Sequence, residues 1–212
     1  MKIDFVSDVS CPWCAIALHS LEIALGRMEG QLQVALCFQP FELNPDMPRE
    51  GEDLADHLGR KYGSGPEQFR LAHEAIRERG AAVGFRFDLD KRKRIYNTFD
   101  AHRLLYWAGT EALGRQRALK HALLRAYFTE GQNPSDPAVL VRLAAEAGLP
   151  EAQAKEILAT DAYAGEVRTR EQVYRDRGIH AVPAVVLDDR LLVQGGQPPE
   201  SFEQALRRMA GQ

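Results

Sequence analysis

The sequence contains little cysteine, with only three in 212 residues. A disulfide-stapled extracellular scaffold needs several cysteine pairs, so an ordinary apolar core has to hold this fold together. Long apolar runs are also lacking, since none approaches the ~20 residues of a membrane-spanning helix. The sequence predicts no membrane partner. Because it enters a strand pattern at Lys2 with no signal-peptide core before it, it also predicts a cytoplasmic location.

A strong excess of one charge is lacking too, because the formal net charge is only −3. This balance gives no electrostatic reason to expect nucleic acid as a partner. The one basic cluster, residues 91–94, is interpreted as a solvated connection. Hydrophobic residues make up 45% of the chain, which is enough for a sizeable core in one large domain or one domain with an insertion.

Two of the cysteines form a Cys-Pro-Trp-Cys motif at residues 11–14, between a strand pattern and a helix pattern. Residues 3–6 read as a short strand, and beyond Cys14 apolar residues recur at spacings of three and four. Ser10 is a candidate N-cap, and proline at position 12 suits the first helical turn. The sequence therefore places Cys11 at a helix N-terminus and Cys14 one turn further on.

A helix N-terminus favours a thiolate, because its unpaired N–H groups and the positive end of the helix dipole stabilise an anion. Cys11 is therefore the candidate nucleophile, and we expect its pKa to be lowered. Cys14 is close enough to resolve a mixed disulfide. Pro12 and Trp13 restrict the loop and are candidate substrate-binding residues beside the sulfurs. This chemistry requires no metal and no organic cofactor.

Two plainer interpretations compete with a redox pair. A Cys-X-X-Cys motif can be half of a zinc site, but the only other cysteine is Cys37 and no histidine pair has a suitable spacing. Two buried structural thiols are the second interpretation, and the position at a helix start argues against it. In a reducing compartment a structural disulfide is not expected, so the motif is better interpreted as redox-active. No metal ligands are predicted.

The order of elements predicts the fold. Further strand patterns cover residues 32–38, 184–187 and 191–193, and the middle of the chain is largely helical. Without that middle the order is strand, helix, strand, helix, strand, strand, helix. This is the α/β thioredoxin fold, with a large all-helical insertion between the second strand and the helix that precedes the third. We place the thioredoxin-like domain at residues 1–44 plus 165–212 and the inserted helical domain at residues 45–164.

Pro183 directly precedes the third strand of this fold. Proline is tolerated at a strand start, and an X-Pro bond can be cis at low cost. A cis bond would leave the main chain of Val182 free to pair with an extended peptide. On local pattern alone, a trans proline at a strand edge is an equal alternative; the fold favours cis.

The sequence resembles the DsbA-like thioredoxin superfamily, and most closely its FrnE-like branch, nearly from end to end. The resemblance is carried by six segments: residues 8–14, 40–45, 97–103, 126–131, 182–183 and 195–199. It implies a thiol–disulfide oxidoreductase with Cys11 as nucleophile and Cys14 as resolving thiol. It also implies that Val182 and cis-Pro183 form the substrate-docking turn. The further C-terminal cysteine pair of some FrnE relatives is missing from this sequence.

The implied partners are proteins or small molecules that carry a disulfide or a thiol, with glutathione as one such substrate or reductant. The same superfamily contains kappa-class glutathione transferases and 2-hydroxychromene-2-carboxylate isomerases, which typically have serine at the position of Cys11. A glutathione-dependent transferase or isomerase is therefore the alternative function. His102, Arg103 and His180 are candidates for lining the cleft over Cys11, although surface or core packing is the favoured role for the first two.

Overall fold

The computed structural model describes residues 1–63, 65–111 and 114–211. The chain opens with β1 (Lys2–Ser7), α1 (Pro12–Arg27) and β2 (Ala35–Pro40). It closes with α8 (Ala164–Asp176), β5 (Ala184–Leu187), β6 (Leu191–Gln194) and α9 (Pro199–Ala210). Between them lie β3 (Glu52–Asp53), α2 (Leu54–Tyr62), α3 (Pro66–Ala82), β4 (Arg94–Ile95), α4 (Phe99–Thr110), α5 (Arg115–Phe128), α6 (Pro137–Glu146) and α7 (Glu151–Ala159).

The main sheet has the strand order β2-β1-β5-β6. Strands β1 and β2 run parallel, whereas β5 is antiparallel to both β1 and β6. Alternate residues of β1 face opposite sides of the sheet, as the pleat requires. Phe5 packs in the core that contains α1 and α9, and Val6 packs against Tyr174 of α8 on the other side. The predicted thioredoxin fold is therefore confirmed.

The segment between β2 and α8 is mainly helical, but it also contains two short strands. Strands β3 and β4 pair antiparallel through two residue pairs, from Glu52↔Ile95 to Asp53↔Arg94. The sequence predicted an all-helical insertion because strands of two residues are too short to show a period of two. The limits 45–164 for an inserted domain remain a prediction.

Helices α4 to α7 bury an apolar core of their own. Val9, from the loop that follows β1, is fully buried in this core, whereas Cys11 and Cys14 belong to the core of the sheet. The loop before the thiol pair is therefore held between two cores. Within the described residues, no helix is both long enough and apolar enough to cross a membrane.

Gly51 is expected to be essential for the β3–β4 ribbon. Its φ is +69°, and a Cβ at this position would collide with the backbone oxygen of Ile95. Gly51→Ala should therefore lower the free energy of unfolding by about 2–3 kcal/mol. Gly26 is the matched control, because it lies in α1 with open space around its Cα, and Gly26→Ala should raise stability by about 0.5 kcal/mol. Urea unfolding followed by circular dichroism measures both, and equal effects in the two variants would contradict the prediction.

Candidate active site

The thiol pair lies at the start of α1. The N-cap residue is Cys11 itself, one residue later than the predicted Ser10, and Pro12 occupies the first turn. No side chain caps the helix, and the amide of Cys14 donates to the carbonyl of Cys11 at 3.1 Å. The predicted placement of Cys11 at the helix N-terminus is confirmed. The sulfur therefore lies where the N–H groups of the first turn converge.

The two thiols differ strongly in acidity. The pKa of Cys11 is lowered, chiefly by a hydrogen bond from the Cys14 thiol and also by the backbone N–H groups of Cys14 and Trp13. Burial and the Asp8 carboxylate act in the opposite direction. Burial, followed by the neighbouring Cys11, raises the pKa of Cys14 well above its ordinary value. Cys11 therefore ionises first, and Cys14 keeps its proton as the donor.

The Pro183 turn faces this pair. Both sulfurs are free thiols in this structure, and Cys11 is only 4% exposed. Cys11 Sγ lies 3.7 Å from the carbonyl oxygen of Val182, and the peptide bond between Val182 and Pro183 is cis. The fold thus brings residues 171 positions apart in sequence into contact beside the nucleophile.

Trp13 is half-buried against the segment 195–199. A Cβ at Gly196 would lie 3.0 Å from Trp13 Cε3, so the glycine permits this close approach. The guanidinium carbon of Arg79 lies 5.7 Å from the centre of the indole ring, and Arg79 also donates to the Gly196 carbonyl. Arg79 of α3 thereby connects the indole, the 195–199 segment and the insertion on one side of the thiols.

A buried carboxylate fixes the backbone just before Cys11. Asp8 is 1% exposed and accepts from the amide of Ser10 at 3.1 Å and from the amide of Leu43 at 2.8 Å. His102 Nε2, from α4, lies 3.6 Å from Asp8 Oδ1. Burial by itself raises the pKa of Asp8, but His102 and the two amides outweigh it and lower the pKa to about 2.

Two buried cations near the thiols were not foreseen from the sequence. Lys120 of α5 is fully buried, and its Nζ has no hydrogen-bond partner among the described residues. Burial lowers the pKa of Lys120, while the Cys14 sulfur raises it. Arg92, which was interpreted as part of a solvated cluster, is 7% exposed and reaches the Ser10 carbonyl at 3.4 Å. Its guanidinium carbon lies 4.9 Å from the centre of the Tyr127 ring.

A signal for Lys120 was present in the sequence. It lies three and four residues before Leu123 and Leu124, on the buried side of α5, where a lysine is unusual. Arg92 gave no such signal, because its segment has no regular period.

The remaining predicted cleft residues occupy different positions. His102 contacts Asp8 beneath the motif, as described above. Arg103 is 4% exposed and its Nε donates to the carbonyl of Ala162, while its other nitrogens bind Asp100, Ile157 and Thr160. It therefore joins α4 to the end of α7 within the insertion. His180 is exposed and precedes the Pro183 turn, and its part in the cleft remains a prediction.

The sheet order, the thiol pair at the start of α1 and the facing cis-proline turn define a thioredoxin-fold redox protein. The chain belongs to the DSBA-like thioredoxin domain family, whose pattern matches residues 2–207. This family supports a role of the thiol–disulfide oxidoreductase type.

The individual proteins that are similar to the chain include the following three. The crystal structure of a probable DsbA oxidoreductase from Streptomyces coelicolor superposes with a TM-score of 0.93 at 34% identity, covering 100% of this chain and 91% of the other. The uncharacterized protein YwbO of Bacillus subtilis (strain 168) is 24% identical over 207 residues, 97% of this chain and 96% of its own length. The cytosolic disulfide reductase DsbM from Pseudomonas aeruginosa, solved with GSH, shares the fold at a TM-score of 0.69 and 18% identity, with full coverage of both chains.

The Asp8 pKa predicts how stability depends on pH. Because the pKa is lowered from 3.8 to about 2, ionised Asp8 stabilises the folded state fully above pH 3.8. This contribution, about 2 kcal/mol, is lost as the pH falls through about 2. His102→Gln removes the imidazole that lowers the Asp8 pKa, so it should raise that pKa and reduce the contribution to stability.

Urea unfolding between pH 6 and pH 2 measures this effect, and carboxyl NMR of Asp8 reports the pKa directly. The control is His73→Gln, since His73 contacts the Phe69 ring and is not among the groups that shift the Asp8 pKa. An Asp8 titration that is the same in His102→Gln as in the wild-type protein would rule out the assigned cause.

Proposed function

We propose that this protein is a thiol–disulfide oxidoreductase that uses Cys11 and Cys14 as its redox pair. The observation that carries the proposal is the position of Cys11 at the start of α1, with Cys14 one turn further on and Cys11 Sγ 3.7 Å from the carbonyl oxygen of Val182. The pKa of Cys11 is lowered while that of Cys14 is raised. A thiolate is the attacking species in disulfide exchange. A neighbouring thiol that stays protonated during the first step can attack in the second.

In the reducing direction, the Cys11 thiolate attacks one sulfur of a substrate disulfide, and the other substrate sulfur leaves as a thiolate. Cys14 then loses its proton and attacks the Cys11 sulfur of the mixed disulfide. This releases the second substrate thiolate and leaves a Cys11–Cys14 disulfide. The protein has lost two electrons and the substrate has gained two. In the oxidising direction the same steps run in reverse, starting from a substrate thiol.

We further propose that substrates dock on the Val182–Pro183 turn and the adjoining Pro12 and Trp13. The half-buried Val182 presents its main chain beside Cys11 Sγ, so an extended peptide or a glutathione-like backbone can pair with it. Substrates of this kind carry a disulfide or a thiol, and glutathione is the small-molecule candidate. No metal or organic cofactor takes part in the exchange. We also propose that the protein is cytoplasmic and that it belongs to the FrnE-like branch.

Substitution of Cys14 tests the proposed pair. Cys14→Ser should let Cys11 form a mixed disulfide with glutathione disulfide or a disulfide-bearing peptide and then stop, because nothing resolves the adduct. Cys11→Ser should form no such adduct. Mass spectrometry of the intact protein after exposure to the disulfide measures both outcomes.

Cys37→Ser is the matched control, since Cys37 lies on β2 away from the motif, and it should turn over like the wild-type protein. Full turnover by Cys14→Ser would contradict the proposal. If Cys14→Ser also conjugated or isomerised substrates with glutathione, the alternative function, a glutathione-dependent transferase or isomerase, would replace it.

Lys120 should speed the second step. Its charge lowers the pKa of Cys14, which burial otherwise raises. In Lys120→Met the buried cation is gone and the Cys14 thiolate forms less readily, so the mixed disulfide on Cys11 should survive several-fold longer. Acid quenching followed by mass spectrometry measures its lifetime. Lys155→Met, which removes a surface lysine paired with Glu151, is the control and should leave the lifetime unchanged. An unaltered lifetime in Lys120→Met would show that Lys120 does not assist Cys14.

A further inference from the structure

A second cluster of reactive side chains lies away from the thiols, where α1 passes α5. His19 and Glu22 share one face of α1 because they are three residues apart, and His121 approaches from α5. One ligand atom from each of the three side chains lies within 4.8 Å of the other two. His121 Nε2 is 2.8 Å from Glu22 Oε1, and the two imidazole rings meet edge to face with centres 5.2 Å apart.

One ring nitrogen of His19 has no hydrogen-bond partner among the described residues. This atom, Nε2, is buried. The ring also hydrogen-bonds to the backbone of Val83, and burial together with the nearby His121 lowers the pKa of His19. An imidazole that is oriented by a backbone hydrogen bond and has one unpaired ring nitrogen is the usual arrangement of a metal-ligating histidine.

The space around the cluster suits an ion with open coordination positions. A cleft of about 400 Å³ adjoins His19 and His121 and is bordered by Phe85, Ala118 and Arg125. Arg117 would compete with a metal ion for the Glu22 carboxylate, because its Nε donates a hydrogen bond to Glu22 Oε1 at 2.6 Å. The Arg117 side chain is 59% exposed, so it can swing into solvent and release Glu22.

We propose that His19, Glu22 and His121 bind a divalent transition-metal ion of the zinc type between α1 and α5. Two imidazoles and one carboxylate form a ligand set that zinc accepts, with the remaining position open to water. Bond lengths of ~2.0–2.1 Å place tetrahedral donors ~3.3 Å apart, so the side chains need only small rotations to close on the ion. Spacing in the sequence could not indicate this site, because Glu22 and His121 are 99 residues apart.

The site is separate from the disulfide exchange and does not depend on the proposed function. The metal would join the helix that carries the thiols to the insertion. Its formation exchanges the hydrogen bond between His121 and Glu22 for metal–ligand bonds and displaces the Arg117 guanidinium.

The test is titration with zinc sulfate at pH 7.5 in competition with a chromophoric chelator. The full-length chain carries Cys11→Ser, Cys14→Ser and Cys37→Ser, so that no thiolate binds zinc, and iodoacetamide-blocked wild-type protein is titrated in parallel. One zinc ion per chain is expected. In that background His19→Ala and His121→Ala should each weaken binding about tenfold or more. The absorption spectrum of added cobalt(II) gives an independent reading of the coordination.

Two further variants distinguish a metal site from a cluster that has only a structural role. Arg117→Gln removes the competing cation and should strengthen zinc binding, which a merely structural cluster would not show. His57→Ala is the matched control, because His57 also contacts a glutamate, Glu52, at 3.0 Å but its other ring nitrogen is bonded to Asn44, and it should have no effect. Absence of zinc binding, or binding that His19→Ala and His121→Ala leave unchanged, would overturn the proposal.

Discussion

The Asp8 carboxylate is the constraint on which the active site depends. A buried carboxylate without partners would cost several kcal/mol, so the groups that compensate it have to stay together. They come from three parts of the chain: the amide of Ser10 in the motif loop, the amide of Leu43 after β2, and His102 on α4. This single charge therefore ties the loop before Cys11 to the sheet and to the insertion at once.

The insertion thereby takes part in setting the thiol chemistry. The hydrogen bond from the Cys14 thiol and the N–H groups of the helix start lower the pKa of Cys11, whereas burial and Asp8 raise it. Lys120, from α5, acts on Cys14, and Arg92, from the segment before β4, binds the Ser10 carbonyl. At short range in a poorly solvated interior, each of these charges has a larger effect than it would have in water. The balance between the two thiols is thus a property of both cores.

What could be predicted from the sequence follows from the range of the interactions concerned. The position of Cys11 at the start of α1 depends on local periodicity and on Pro12, and the sheet follows from the order of its elements. The β3–β4 ribbon could not be predicted, because the pairing of Glu52 with Ile95 joins two-residue strands. The hydrogen-bond and charge partners of Asp8 could not be predicted either. His102 was singled out only as a candidate for lining a cleft, and nothing in its spacing showed that it faces a carboxylate at the end of β1.

Helices α1 and α5 connect the thiols to the rest of the molecule. On α1, Cys14 lies in the first turn, and His19 and Glu22 follow on the flank. On α5, Lys120 and His121 are consecutive, so their side chains leave the helix in different directions, one toward the buried thiols and the other toward that flank. A displacement of α5 as a unit would move both side chains, and it would change the distance between Lys120 and Cys14. The acidity of the resolving thiol therefore depends on where α5 holds the Lys120 side chain.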